Sequence, residues 1–204
     1  MWRDPPDLID LPAAVIDVWR AEVASRASAR AVLRALLGRY LRRRPDAIAF
    51  AIGAHGKPAL AGTGAPPIQF NMSHTRGLAL YAIAREVAVG VDVERPRPGI
   101  DTVRLARRFI TPREADRLAA LEPAERDAAF LKAWVRHEAT VKCLGTGIGT
   151  VQLETLAPGA WPWVAELDPG DGAAAAVAAG VPPETVRCWR WRGRATSGHG
   201  AREP

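Results

Sequence analysis

Residues 124–144 carry the most restrictive pattern in the sequence, because their apolar side chains recur at the spacing of one helix face. The apolar residues on that face are Phe130, Leu131, Trp134, Val135, Val141 and Leu144. Glu138 lies inside this apolar sector, and Lys142 flanks it one turn later. A carboxylate on a core-facing stripe is costly unless a metal, another cation or several hydrogen-bond donors meet it. The fold must therefore bring such a group to Glu138.

A second acidic feature closes a predicted strand. Residues 78–84 and 87–94 have the composition of two strands joined by a turn, and Asp92 and Glu94 end the second strand. Side chains two residues apart on a strand point to the same face, so the two carboxylates are neighbours. They repel each other unless a cation lies between them, and a divalent ion with oxygen ligands, Mg²⁺ or Mn²⁺, suits that place. A solvated strand end explains the same two residues equally well.

The remaining segments predict a mixed α+β fold. The pattern of residues 11–44 is helical with one break near residues 25–28. Two shorter helices are predicted, one at residues 101–109 and one that begins at Thr111, which forms a capping box with Glu114. Further strands are predicted at residues 48–52, 151–156, 161–167, 173–179 and 186–191.

Cationic and small polar residues occupy three short segments before the acidic pair. Arg26, Arg30 and Arg34 recur every fourth residue, which fits either a solvated helix face or a phosphate-binding stripe. Lys57, one of only three lysines, lies in a Gly-Lys-Pro turn. Residues 70–77 surround a tight turn with small polar groups and one imidazole. The polar residues of interest in this segment are Ser73, His74 and Thr75.

The composition restricts the partners and the compartment. The 204 residues are 48% hydrophobic, enough for a full core, and a net charge of +6 with a pI of about 10.1 favours an anionic partner. Nucleic acid, acidic protein and phosphorylated small molecules all qualify. Cys143 and Cys188 form no disulfide framework or metal-ligand spacing, which indicates a reducing compartment. The N-terminus has no signal-peptide pattern and no apolar run could span a bilayer, so we expect a cytoplasmic protein without a membrane partner.

Four segments together resemble the Sfp-type 4′-phosphopantetheinyl transferases, the activators of surfactin-like synthetases. The matching segments are residues 56–58, 70–74, 89–94 and 134–142, in the family's order and spacing. The resemblance implies an α+β fold of two similar lobes related by a pseudo-twofold axis, with the active site in the cleft between them. On this basis we expect an N-terminal lobe at 1–96, a C-terminal lobe at 97–192 and a disordered tail at 193–204.

The resemblance also implies an activity, which is Mg²⁺-dependent transfer of 4′-phosphopantetheine from coenzyme A to a serine of an apo acyl or peptidyl carrier protein, with release of 3′,5′-ADP. The metal ligands that it implies are Asp92, Glu94 and Glu138. The catalytic residues that it implies are Glu138, Lys142 and His74. The coenzyme A contacts that it implies are Arg26, Arg30, Lys57, Ser73, His74, Thr75, His137 and Lys142. We expect a monomer that binds no nucleic acid.

His137 departs from the family pattern, which usually has lysine before the glutamate. A fixed cation is replaced by a group that titrates near neutrality, which bears on catalytic efficiency and pH optimum. Two alternatives remain open, a non-catalytic coenzyme A-binding module and a basic nucleic-acid-binding protein. The first is disfavoured because the three acids and Lys142 are all present. The second would need basic residues interleaved with stacking aromatics, and the late tryptophans do not show that pattern.

Overall fold

A computed structural model of the chain describes residues 2–6, 9–53, 56–62, 68–146 and 161–193. In chain order its strands are β1 Val15–Glu22, β2 Phe50–Ile52, β3 Pro58–Leu60, β4 Ile68–Thr75, β5 Leu78–Arg85, β6 Val89–Glu94, β7 Trp163–Leu167, β8 Ala174–Ala179 and β9 Thr185–Arg190. Its helices are α1 Arg26–Leu41, α2 Thr102–Phe109, α3 Pro112–Ala119 and α4 Pro123–Leu144. The predicted mixed α+β class is confirmed. No helix in these ranges is long and apolar enough to cross a membrane.

The core is built in layers from two sheets and two helices. A four-stranded sheet has the order β4-β5-β1-β9, and a three-stranded sheet has the order β6-β8-β7. Apolar side chains of the two sheets form one buried cluster, in which Val18 and Leu80 of the first sheet meet Val91 and Val177 of the second. Helix α1 covers the outer face of the first sheet and α4 covers the outer face of the second. Because α4 lies on β6, the two acidic features of the sequence meet.

Strand β1 corrects the prediction of a helix at residues 11–44. Residues 26–41 are helical, but Val15–Glu22 is the strand that joins β5, on one side, to β9, on the other. Val18 faces the second sheet and Trp19 faces α1, and both are fully buried. A strand covered on both faces reads as a continuous apolar run, in which periodicity does not separate strand from helix.

Asp17 is a buried polar residue that fastens this central strand to its neighbours. Its carboxylate is completely buried and accepts two hydrogen bonds from Arg187 at 2.6 and 2.9 Å. Tyr40 of α1 donates to it at 2.6 Å, and Trp189 of β9 donates at 2.8 Å. A buried charge with this many donors is well satisfied, so Asp17 ties β1, β9 and α1 into one unit.

Three other predictions are settled by the strand assignments. Residues 68–75 form strand β4, so the tight turn predicted across 70–77 is confined to Arg76 and Gly77, whose φ is +79°. The late strands β7, β8 and β9 confirm three of the four predicted there, and the fourth, at 151–156, lies outside the described residues. The alanines of β8 form a strand, and their small side chains let α4 pack closely on it.

The predicted division into lobes stays a prediction. Strand β6 pairs with β8 and β1 pairs with β9, so strands from before and after position 97 join in both sheets. The tail predicted at 193–204 lies outside the described residues from position 194 onward.

Candidate functional site

Gly90 lets α4 lie directly against β6. A Cβ atom at this position would come within 2.0 Å of the carbonyl oxygen of Ala139 and 2.4 Å of the backbone nitrogen of Cys143. A glycine inside a strand often marks such a close approach of another backbone. Asp92 lies two residues further along the same face of β6, next to Lys142 and Glu138 of α4. We call residues 88–92 and their partners 138–143 the β6–α4 seam.

Lys142 meets Asp92 at the centre of this seam. Its Nζ donates to Asp92 Oδ1 at 2.6 Å and to Ser73 Oγ at 3.2 Å. The Ser73 hydroxyl in turn donates to Asp92 Oδ1 at 2.7 Å. Asp92 is only 2% exposed, so its charge is compensated mainly by this lysine. The structure thus brings together three residues that the sequence predicted for one site.

Asn71 holds β4 in the register that the contact between Ser73 and Asp92 requires. Its side-chain Oδ1 accepts a hydrogen bond from the backbone N–H of Val91 at 3.0 Å, across the gap between the two sheets. Ser73 follows two residues later and therefore faces the same way. Sequence reasoning assigned no role to Asn71 or Gly90. A polar residue between buried neighbours and a glycine inside a strand were the signals available.

Glu138 and Glu94 complete a cluster of acids. Glu138 is 4% exposed, and burial together with the charges of Asp92 and Glu94 raises its pKa to about 7, although Lys142 opposes the shift. Burial and the Asp92 charge also raise the pKa of Glu94. The guanidinium of Arg97 donates to Glu94 Oε2 at 3.0 Å. The direction of both pKa shifts agrees with three neighbouring carboxylates that repel one another.

The donor set fits a divalent cation. Within the described ranges, no three Asp, Glu, His or Cys side chains form a preformed metal site. Lys142 and Ser73 occupy Asp92 Oδ1, and Arg97 occupies an oxygen of Glu94. Asp92 Oδ2 and Glu138 Oε1, however, are buried and have no hydrogen-bond partner among the described residues. Two unpaired carboxylate oxygens beside a third acid suit a hard cation such as Mg²⁺.

A strongly cationic cavity of about 400 Å³ lies beside the seam, at the N-terminus of α1. The residues that line it include Arg26, His74, Thr75, Arg76, Arg95 and Arg97. Burial lowers the pKa of His74, and the nearby charges of Arg26, Lys142 and Arg30 lower it further. Helix N-termini also favour anions. The predicted residues Arg26, His74 and Thr75 therefore come together around a space that suits a phosphate group, and Arg30 lies near enough to affect His74.

Lys57 lies at the other end of the seam. Its Nζ donates to the backbone carbonyl of Val89 at 3.0 Å and to that of Cys143 at 3.2 Å. Burial lowers the pKa of this ammonium. Lys57 is not among the described residues that line the cationic cavity. Its predicted contact with coenzyme A stays a prediction.

His137 faces a different space. It is 4% exposed and lines a cavity of about 700 Å³ together with Glu114, Thr140 and Val164. Within the part of the chain that the structure describes, the His137 Nδ1 has no hydrogen-bond partner, and burial lowers the pKa of the ring. Of the described residues that line this cavity, none belongs to the Asp92–Lys142 pair. The structure does not bring the ring of His137 together with the predicted phosphate contacts.

Comparison with known proteins identifies similar sequences. A family model described as the 4′-phosphopantetheinyl transferase superfamily matches residues 88–175, which include β6 and α4. The 4′-phosphopantetheinyl transferase HetI of Nostoc sp. is 36% identical over 163 residues, which are 73% of this chain and 68% of HetI. A 4′-phosphopantetheinyl transferase of Bacillus subtilis is 31% identical over 104 residues, 51% of this chain and 44% of the relative. AcpT of Salmonella typhi is 36% identical over 113 residues, 55% of this chain and 56% of AcpT. The matches thus span about half the length of the last two relatives.

Proposed function

The chain belongs to the 4′-phosphopantetheinyl transferase superfamily, and on that premise we propose that it transfers 4′-phosphopantetheine from coenzyme A to a serine of an apo carrier protein. The serine oxygen forms a new bond to the phosphorus of the pantetheine phosphate, and the pyrophosphate bond breaks to release 3′,5′-ADP. The observation that carries the proposal is the β6–α4 seam, in which the buried Asp92 pairs with the partly exposed Lys142 beside a second buried acid, Glu138, and a cationic cavity.

The cationic cavity is the proposed site for the phosphates of coenzyme A. Arg26 and His74 line it, and Arg30 lies close enough to affect the charge of His74. Arginines at such a place form charge-assisted hydrogen bonds to phosphate oxygens. His74 is exposed and gains a proton more readily once an anion lies beside it, which would add a further donor. Thr75 offers a hydroxyl from the same strand.

Lys142 is the proposed electrostatic catalyst. Its ammonium donates to both Asp92 and Ser73. It also lies close enough to His74, which lines the cationic cavity, to lower the pKa of that imidazole. From there a small rotation of its flexible side chain lets it donate to a pyrophosphate oxygen as negative charge builds on the leaving group. Ser73 keeps Asp92 oriented while the lysine moves, because its hydroxyl bonds to the same oxygen.

Glu138 is the proposed proton acceptor for the carrier serine, directly or through a water that it orients. Without a metal ion, burial raises the pKa of Glu138 to about 7, but a bound divalent ion would lower it, so Glu138 would then act through the water that it orients. The residues that would hold a divalent ion are Asp92, Glu94 and Glu138. Bound Mg²⁺ or Mn²⁺ would neutralise charge on the pyrophosphate oxygens.

The finer assignments are proposals of the same kind. We assign the chain to the Sfp-type group, with two pseudo-twofold-related lobes that meet near position 97. Acidic acyl or peptidyl carrier proteins are the proposed partners, since a net charge of +6 favours their approach. The chain is proposed to act as a monomer. The retained acids and Lys142 favour an active enzyme over a coenzyme A-binding module without activity.

The test is an intact-mass assay of apo carrier proteins incubated with the protein and coenzyme A. A panel of fatty-acid, polyketide and peptide-synthetase carriers, each with a serine-to-alanine control, is treated with Mg²⁺ or with a chelator. The proposal predicts a mass increase of one phosphopantetheine, only with Mg²⁺ and only on carriers that have the serine. Unchanged masses across the panel, from protein that binds coenzyme A, would favour the binding module.

A further inference from the structure

Lys57 joins two elements of the seam through their backbones. Its Nζ lies 3.0 Å from the carbonyl oxygen of Val89, the first residue of β6, and 3.2 Å from that of Cys143, in the last turn of α4. Carbonyls of the last helical turn have no partner within the helix. A cation at this end also interacts favourably with the helix dipole. One ammonium therefore satisfies a helix end and binds it to a strand.

Other close contacts surround the same point. Cys143 Sγ donates to the carbonyl oxygen of Ala88 at 3.3 Å, and the Cβ site of Gly145 lies 3.5 Å from the Lys57 side chain. The backbone of β6 nearly touches α4 at Gly90. From Val89 to Asp92 is about 10 Å along the strand. The end of α4 is thus held on β6 about three residues from Asp92, and on α4 directly after Lys142.

We propose that Lys57 is a positioning residue for the transfer reaction. It holds the C-terminal end of α4 on β6, and in this way it fixes Lys142 and Glu138 relative to Asp92. The inference rests on the proposed transferase function. It differs from the contact with coenzyme A that the family resemblance implies, because the Lys57 ammonium is already engaged by two backbone carbonyls.

Lysine suits this position for a geometric reason. The two acceptors belong to different elements, and a compact ammonium with three donors reaches both from a flexible stem. Lys57 is brought there by β3, which starts at the next residue and pairs with β2. Methionine at this position would keep the apolar stem and lose both hydrogen bonds, whereas arginine would keep donors with a wider, planar head.

The two roles predict different kinetics. If Lys57 positions α4, Lys57→Met should lower kcat and leave KM for coenzyme A nearly unchanged, because the phosphates bind elsewhere. If Lys57 binds a phosphate, the same change should raise KM for coenzyme A. The increase should be larger for coenzyme A than for its 3′-dephospho form. A misplacement of about 1 Å in catalytic groups can cost about 10²-fold in rate.

The experiment measures kcat and KM for coenzyme A and 3′-dephospho-coenzyme A in wild type, Lys57→Met and Lys57→Arg. Lys132→Met is the matched control, since Lys132 is an exposed lysine on α4. Each rate is normalised to the fraction of protein that binds coenzyme A by calorimetry, so that loss of folded protein is not counted as slow catalysis. Hydrogen exchange of residues 139–144 is measured in the same samples.

We expect kcat of Lys57→Met to fall about 10- to 100-fold with both KM values changed less than about threefold. Hydrogen exchange at the end of α4 should be faster, Lys57→Arg should recover part of kcat, and Lys132→Met should match wild type. A normal kcat with a raised KM for coenzyme A would overturn the inference, as would wild-type exchange at residues 139–144. If Lys57→Met does not fold, the same criteria apply to Lys57→Arg. Absence of transfer by wild type would instead refute the proposed function.

Discussion

Replacing Gly90 with alanine would place a methyl group where α4 now touches β6. The added Cβ would lie 2.0 Å from the Ala139 carbonyl oxygen and 2.4 Å from the Cys143 nitrogen, and both are backbone atoms that cannot turn aside. Ordinary contacts of this kind are about 3.5 Å long, so the helix must move away by about 1.5 Å. Lys142 now lies 2.6 Å from Asp92, and this shift would lengthen the contact beyond hydrogen-bonding distance unless the side chain adjusts.

Gly90→Ala is expected to reduce both catalysis and stability. A displacement of this size in groups that act on the phosphate should lower kcat by about 10²-fold. Overpacking in a dense core should reduce the free energy of unfolding by about 1–3 kcal/mol. The measurements are kcat for carrier modification, affinity for coenzyme A by calorimetry, and urea unfolding.

Gly180→Ala is the control for this change. Its added Cβ would meet its nearest neighbour, Ala88, at 3.9 Å, which is an ordinary contact, and its backbone does not have a positive φ. We expect it to keep both kcat and stability. Gly90→Ala with wild-type kcat would show that close packing of α4 on β6 does not set the geometry of the site.

The remaining predictions concern one structural cluster and two titratable groups. Asp17→Ala should lower the free energy of unfolding in urea by about 3–5 kcal/mol, because it leaves Arg187 and the other donors without their buried acceptor, while kcat per folded molecule stays unchanged. In chelated protein, burial raises the pKa of Glu138 in the folded state from 4.5 to about 7. The protonated carboxyl therefore contributes its full stabilisation of the fold below pH 4.5, and this stabilisation is lost as the pH rises through 7. The free energy of unfolding should therefore fall by up to about 3 kcal/mol between pH 4.5 and pH 7. An equal fall in Glu138→Gln would refute Glu138 as the group responsible. His137→Gln should keep the pH–rate profile of wild type, because the ring faces the larger cavity, and a shifted profile would place the imidazole in the reaction.

Local patterns predicted the parts of the site that lie on single elements. The helical spacing around Glu138 identified α4 and the unusual burial of that acid, because periodicity depends only on nearby residues. Asp92 and Glu94 were expected on one strand face for the same reason. Strand β1 was missed since burial on both faces removes the alternation that distinguishes a strand.

Contacts between distant segments could not be predicted in the same way. The pairing of Lys142 with Asp92 joins residues 50 positions apart, and it depends on how α4 packs on β6. The bonds from Lys57 to Val89 and Cys143 join three elements, and no sequence spacing encodes them. Lys57 was therefore predicted to contact coenzyme A, because its turn motif resembles that of the transferases. In the structure its ammonium donates to two backbone carbonyls.

The most direct test of the site is the rate at which Asp92→Asn modifies an apo carrier protein with coenzyme A and Mg²⁺. Asparagine keeps the size of Asp92 and can still accept from Ser73, but it removes the charge that Lys142 and a divalent ion would share. Asp46→Asn is the control, because Asp46 is an exposed acid that pairs with Arg44 at the surface. We expect intact-mass measurements to show about 10²-fold slower transfer by Asp92→Asn and a normal rate for Asp46→Asn. Wild type should release 3′,5′-ADP in step with transfer. Transfer by folded Asp92→Asn at the wild-type rate would contradict the assignment of the β6–α4 seam as the active site.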